Sequence, residues 1–132
     1  MILNQTTREN KELERLAARK KVYSLLGLAL RAGKLASGEF MTEKSVKEGL
    51  AQLVITAGDA SDNTKKNFRD MCTFYEVPFA LFGTKDELGH AIGKDFRASM
   101  AVCDEGFARS IRKAMEEWDA RSIQQAAEER NI

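Results

Sequence analysis

Histidine, proline and cysteine are nearly missing from this chain, and each scarcity closes off a class of function. His90 is the single histidine, so a hydrolase or transferase that uses an imidazole to activate a nucleophile has one candidate base. That residue lies in a short helical stretch whose apolar positions are Leu88, Ala91 and Ile92, which leaves it on the solvated side. Cys72 and Cys103 are far apart and lack the paired spacing of a zinc site, so both read as reduced, small core side chains and no metal or cofactor is expected. With Pro78 the only proline and 9 glycines, there is little room for a disordered linker. No run approaches the roughly 18 apolar residues of a membrane span, and Met1–Asn10 lacks the apolar core of a signal peptide, so the expected address is cytoplasmic. GxGxxG, GxSxG and the Walker-type lysine loop are missing as well, which removes the usual nucleotide and esterase readings.

An excess of one charge is also lacking: 21 basic against 20 acidic residues leave a net charge of +1. Arg15 to Asp104 is mildly basic, while the flanks before and after it are each slightly acidic. A general polyanion binder carries a stronger basic excess, so a nucleic-acid partner has to be held by shape-specific contacts.

What is present is a regular alternation of elements. The 132 residues fit one domain. Leu13, Leu16, Val22, Tyr23, Leu26 and Leu30 recur at threes and fours, predicting a helix that is capped at Thr6 or Thr7 and ends near Arg31–Gly33. Leu35–Ser37 is a minimal strand. Gly38 opens a second helix with apolar positions Phe40, Met41 and Val46, stopping at Gly49. Leu53–Ala57 suits a strand covered on both faces. A helix capped by Ser61 or Asp62 follows, with Phe68, Met71, Cys72 and Tyr75 on one face. Val77–Phe82 reads as a strand with Pro78 at its start or on an edge. Thr84 and Glu87 form a capping-box pattern for a short helix ending at Gly93. Ala98–Cys103 is the last strand, and Glu105 to about Glu129 a final helix with Phe107, Ile111, Met115 and Trp118 on one stripe, thinning into Ala126 and Ala127. Strands alternating with helices predict an α/β fold, a three-layer α/β/α sandwich around a small mixed four-stranded sheet.

Carboxylates at Asp59, Asp62, Asp86 and Glu87 fall at helix starts, where the dipole explains them. Asp104 and Glu105 follow a strand end, where α/β enzymes place catalytic groups, but nothing pairs with them in sequence. The expectation is a binding protein and not an enzyme. Arg31, Gly33, Lys34, Gly38 and Lys44 gather around the entry to the second helix, whose N–H groups and dipole favour a phosphate or a guanine edge. A plain helix stop at Gly33 beside a solvated lysine face has the same residues. Gly93–Arg97 is a second surface, pairing Lys94 and Arg97 with Phe96, a ring that either stacks on a base or plugs the core.

Three stretches, Leu25-Leu-Gly-Leu-Ala-Leu-Arg-Ala-Gly-Lys-Leu-Ala-Ser-Gly38, Leu53-Val-Ile-Thr-Ala-Gly-Asp-Ala-Ser-Asp-Asn-Thr-Lys-Lys66 and Glu87-Leu-Gly-His-Ala-Ile-Gly-Lys94, resemble the ribosomal protein L7Ae family, and most of all its bacterial YlxQ-type branch. The resemblance covers about Lys21 to Phe107. It implies an RNA-binding domain at 21–107 between helical extensions at 1–20 and 108–132, and recognition of kink-turns, RNA helices bent sharply beside tandem sheared G·A pairs. The family motif Gly-x-Asn-Glu-x-x-Lys falls on Gly38 and Lys44, both kept, while its Asn and Glu positions hold Phe40 and Met41. The resemblance implies that Glu39 takes over the acceptor role, that Phe96 packs on the RNA bulge, and that Lys34, Lys94 and Arg97 meet phosphates. The implied partner is structured RNA, ribosomal RNA included. Trp118 and Ile123 of the C-terminal helix either cover the core or bind a second protein. A competing reading is a protein-interaction module on the same fold, which apolar side chains at Phe40 and Met41 would suit.

Overall fold

The chain folds as α1 (Ile2–Arg31), β1 (Leu35–Ser37), α2 (Glu39–Lys47), β2 (Leu53–Thr56), α3 (Asp62–Tyr75), β3 (Phe79–Leu81), α4 (Lys85–Ala91), β4 (Ser99–Val102) and α5 (Glu105–Arg130) in a computed structural model that describes residues 2–130, with side chains described for 8–119. The predicted elements are all present, with shifted ends. α1 starts at Ile2, so Thr6 and Thr7 lie inside it, not at its cap, and their side chains fall outside the described residues. Its packed stripe is Ala18, Val22, Leu26 and Ala29, whereas Leu13 and Leu16, expected on that stripe, are exposed. The helix stops where Gly33 takes φ 71°, a left-handed conformation that only glycine adopts without cost. Lys34 N–H then donates back to the Ala29 carbonyl at 2.8 Å and Gly33 N–H to that of Leu30 at 3.0 Å.

The sheet order is β1-β4-β2-β3, with β2 and β3 parallel and β4 antiparallel to both β1 and β2. All four residues of β2 are buried, as expected of an inner strand. β3 is one of the two edge strands, β1 the other, and Pro78 stays just outside β3, its carbonyl accepting from Val54 N–H at 2.9 Å. Side chains alternate across the sheet with period two. Leu53, Ile55, Met100 and Val102 face a core built with Val22 and Leu26 of α1, Leu88 of α4 and Ile111 and Met115 of α5. Val54, Phe79 and Ala101 face the other way, onto Val46 of α2 and Phe68 and Cys72 of α3. Two helical layers on one mixed sheet make the predicted α/β/α sandwich, and burying each large apolar side chain contributes about 1.5–3 kcal/mol.

The positions 20/21 and 107/108 fall inside α1 and α5, and Ala108, Ile111, Ala114 and Met115 belong to the same core as Val22. α5 is interrupted at Asp119, whose backbone is extended (φ −158°, ψ 98°). The preceding Trp118 packs on the core. The Arg15 guanidinium lies 4.0 Å from its ring centroid and donates Nε–H to its carbonyl at 2.8 Å, satisfying a backbone group that the break would leave open. The side chains of Ile123, Ala126 and Ala127 lie outside the described residues. Among the described residues no helix is long and apolar enough to cross a membrane.

α4 is fixed from both sides. Thr84 and Glu87 form the full capping box, and the Glu87 carboxylate also pairs with Arg19 of α1. Burial alone would raise the Glu87 carboxyl, but the hydrogen bonds from Arg19 and Thr84 outweigh it and hold the group below its ordinary value. Beside it, burial pushes the Tyr23 hydroxyl up to about 12, Arg19 opposing and Glu87 adding to the shift. This junction carries the turn that follows α4.

Candidate functional site

β1 ends by delivering Gly38 to the start of α2, at φ 92° and ψ 159°, with its N–H donating to the Ser99 carbonyl at 2.9 Å. No side chain caps α2, so the first-turn N–H groups point outward without a partner from the helix itself. They carry the positive end of the helix dipole.

The inward face of α2 is Thr42, Ser45 and Val46. Phe40 and Met41, the other apolar positions of this helix, are 74% and 44% exposed. Helical spacing back from Val46 reaches Ser45 and Thr42, not 40 and 41, and small side chains there let the helix sit close to the sheet. Apolarity alone hid that face. Phe40 and Lys44, four residues apart, share the outer side. Lys44 is also 4.0 Å from Glu48, an exposed pair of little energetic weight.

Glu39 turns toward α3. Its Oε1 accepts from Thr64 Oγ1 at 3.1 Å, and Thr64 Oγ1 accepts from Ser61 Oγ at 2.9 Å. Glu39, Asn63, Thr64, Lys66, Asn67 and Asp70 line an open recess of about 390 Å³ between the two helix starts.

The Gly93–Arg97 turn lies against α4. Lys94 N–H donates to the Gly89 carbonyl at 2.8 Å, and Arg97 N–H to that of Lys85 at 3.0 Å. Phe96 is 58% exposed, so its ring does not plug the core, and Lys85 Nζ lies 6.0 Å from the ring centroid. Arg97 is the junction. Its Nη1 donates to the Phe96 carbonyl at 2.7 Å and its Nε to Ser37 Oγ at 3.4 Å, one residue before Gly38.

The two surfaces that the sequence presents separately therefore touch at one contact, Ser37–Arg97, which ties the Gly93–Arg97 turn to the residue just before Gly38. Lys34 is not brought in. Its carbonyl accepts from Cys103 N–H at 2.8 Å, at the opposite end of β1 from Gly38. Thr64 and Ser37 were missed by sequence reasoning. The Ser61–Thr64 spacing of a helix start marks the first as structured, but no local signal joins Ser37 to Arg97.

Asp104 and Glu105 are engaged at the start of α5. Asp104 Oδ2 accepts from Phe107 N–H at 2.8 Å at the start of α5, and Glu105 pairs with Arg112 at 3.9 Å. His90 is exposed, and among the described residues no group of three or more His, Cys, Asp or Glu could hold a metal ion. Cys72 is buried and Cys103 half-buried.

Residues 20–111 match the model of the ribosomal protein L7Ae/L30e/S12e/Gadd45 family. The RNA-binding protein YlxQ of Bacillus subtilis (strain 168) is 43% identical over 89 residues, 67% of this chain and 89% of the relative. The Enterococcus faecium protein of the same name is 42% identical over 99 residues, 74% of this chain and 94% of the relative. Among solved structures, a protein of unknown function from Bacillus halodurans C superimposes with TM-score 0.70 at 42% identity, covering 73% of this chain and 97% of that one. The Giardia lamblia 15.5kD RNA binding protein superimposes with TM-score 0.64 at 20% identity over 79% of this chain and 89% of its own, a likeness of fold alone.

Proposed function

This chain belongs to the ribosomal protein L7Ae/L30e/S12e/Gadd45 family, and we propose on that premise that it binds structured RNA and reads a sharply kinked helix of the kink-turn kind, without catalysis. The observation that carries this reading is the Arg97–Ser37 contact, which joins the open start of α2 and the Gly93–Arg97 turn into one face.

An undistorted A-form helix hides its base edges in a deep, narrow groove, and a kink opens that groove to side chains. The start of α2 enters the opening with its dipole and free N–H groups toward RNA. Lys44 donates to the O6/N7 edge of a guanine, and Glu39 accepts from guanine N–H groups. Phe96, exposed on its turn, stacks on a base that the kink unstacks, and Phe40 offers a second ring. Lys94 and Arg97 meet phosphates, Arg97 keeping guanidinium N–H groups beyond those it uses internally. A net charge of +1 suits a reader of shape. Ribosomal RNA is the expected source of such a helix, in keeping with the family's name. The RNA-binding unit is the 21–107 core, with Ala108, Ile111 and Met115 of α5 packed on it.

One observation favours a second reading, a protein-interaction module: Phe40 and Met41 stand out from α2. Nuclear magnetic resonance of isotope-labelled protein separates the two. Adding a kinked RNA shifts the amide signals of 38–44 and 94–97 and leaves Leu50 and Phe74, exposed at the far ends of α2 and α3, unmoved. Shifts centred on Leu50 and Phe74 contradict the assignment, and no shifts at all favour the protein module.

A further inference from the structure

Glu39 sits in the first turn of α2, exposed, on a side chain that loses rotamer freedom whenever it is fixed against a ligand. Its own helix does not hold it. The anchor comes from α3, where the Thr64 hydroxyl donates to Glu39 Oε1 at 3.1 Å. Thr64 in turn accepts from Ser61 Oγ at 2.9 Å, and its backbone N–H donates to the same Ser61 oxygen at 3.1 Å. The hydroxyls thus run in one direction, from the N-cap of α3 to the carboxylate. A carboxylate has about four acceptor positions, so one anchored to Thr64 leaves the others for an incoming N–H edge.

The inference rests on the RNA reading above. We infer that Thr64 is a positioning residue for base reading: its hydroxyl presets the Glu39 carboxylate, so that guanine recognition by α2 depends on a side chain of α3. Without the anchor the carboxylate samples other rotamers and has to be ordered when RNA arrives, which weakens binding without removing any atom that touches RNA.

The test measures dissociation constants for one G·A-containing kinked RNA with the wild-type protein, Thr64→Val, Thr64→Ser, Glu39→Ala and the Thr64→Val/Glu39→Ala double variant. Thr64→Val, close in shape but without the donor, weakens binding about fivefold, and Thr64→Ser, which keeps the hydroxyl, stays within about twofold of wild type. In the Glu39→Ala background Thr64→Val has no further effect, which a general disturbance of α3 would not produce. A Thr64→Val loss that persists without Glu39, or wild-type affinity in Thr64→Val or Glu39→Ala, overturns the positioning role and leaves the RNA reading standing. Failure of the wild-type protein to bind the RNA overturns both.

Discussion

Gly89→Ala is expected to destabilise the protein by about 2–3 kcal/mol, a fall in melting temperature on the order of 10 °C, although the residue lies inside a helix. Within an ordinary exposed helix the same change stabilises by about 1 kcal/mol, because alanine restricts the unfolded chain and glycine does not. Here the sign reverses. A Cβ on Gly89 would come within 2.5 Å of Phe96 Cα and 2.8 Å of both Asp95 O and Phe96 N, all backbone atoms that cannot rotate away. The Gly93–Arg97 turn has to lift off α4, losing the Lys94 N–H bond to the Gly89 carbonyl and dragging Arg97 from Ser37. RNA affinity falls along with stability, since Phe96 and Arg97 move relative to α2. Thermal melts followed by circular dichroism check the first half; a raised melting temperature would show that the turn does not lie where it is described.

Lys44→Glu is expected to weaken binding of a kinked RNA about a hundredfold. Removing a lysine contact to a guanine edge costs about 1–3 kcal/mol, and a carboxylate in its place is repelled by the surrounding phosphates. The fold should hardly notice, because the Lys44–Glu48 pair is exposed and the new like-charge pair one helical turn apart costs only a few tenths of a kcal/mol. Lys113→Glu makes the same change of charge at an exposed position on α5, in the opposite helical layer, and should change affinity about twofold at most. Gel-shift titrations at one salt concentration compare them. Equal losses in both variants would mean that total charge, not the face at α2, governs binding.

Much of this was legible in the chain. Gly33 and Gly38 bracket β1 so tightly that its three residues follow from them, and the Thr84–Glu87 box fixes the start of α4. The apolar run at Leu53 needed no more than its own composition to read as an inner strand. Apolarity alone does not reveal the inward face of α2, because that helix packs through Thr42 and Ser45 as well as Val46. The break at Asp119 has no proline or glycine to announce it. Within the site, the chemical groups were visible but not their meeting. Gly38 and Arg97 are far apart in sequence and become neighbours only because β1 pairs antiparallel with β4, a long-range choice that periodicity does not encode. The reverse holds for Lys34, close to Gly38 in sequence yet separated from it by the length of an extended strand at roughly 3.3 Å per residue.

Recognition of a kinked RNA by this protein should run through the RNA's sheared pairs. The most direct measurement is a titration of one kinked RNA carrying tandem G·A pairs against the same RNA with those pairs replaced by Watson–Crick pairs, at a single moderate salt concentration. Tight binding that depends on the G·A pairs is expected. Equally weak binding to both RNAs would contradict it.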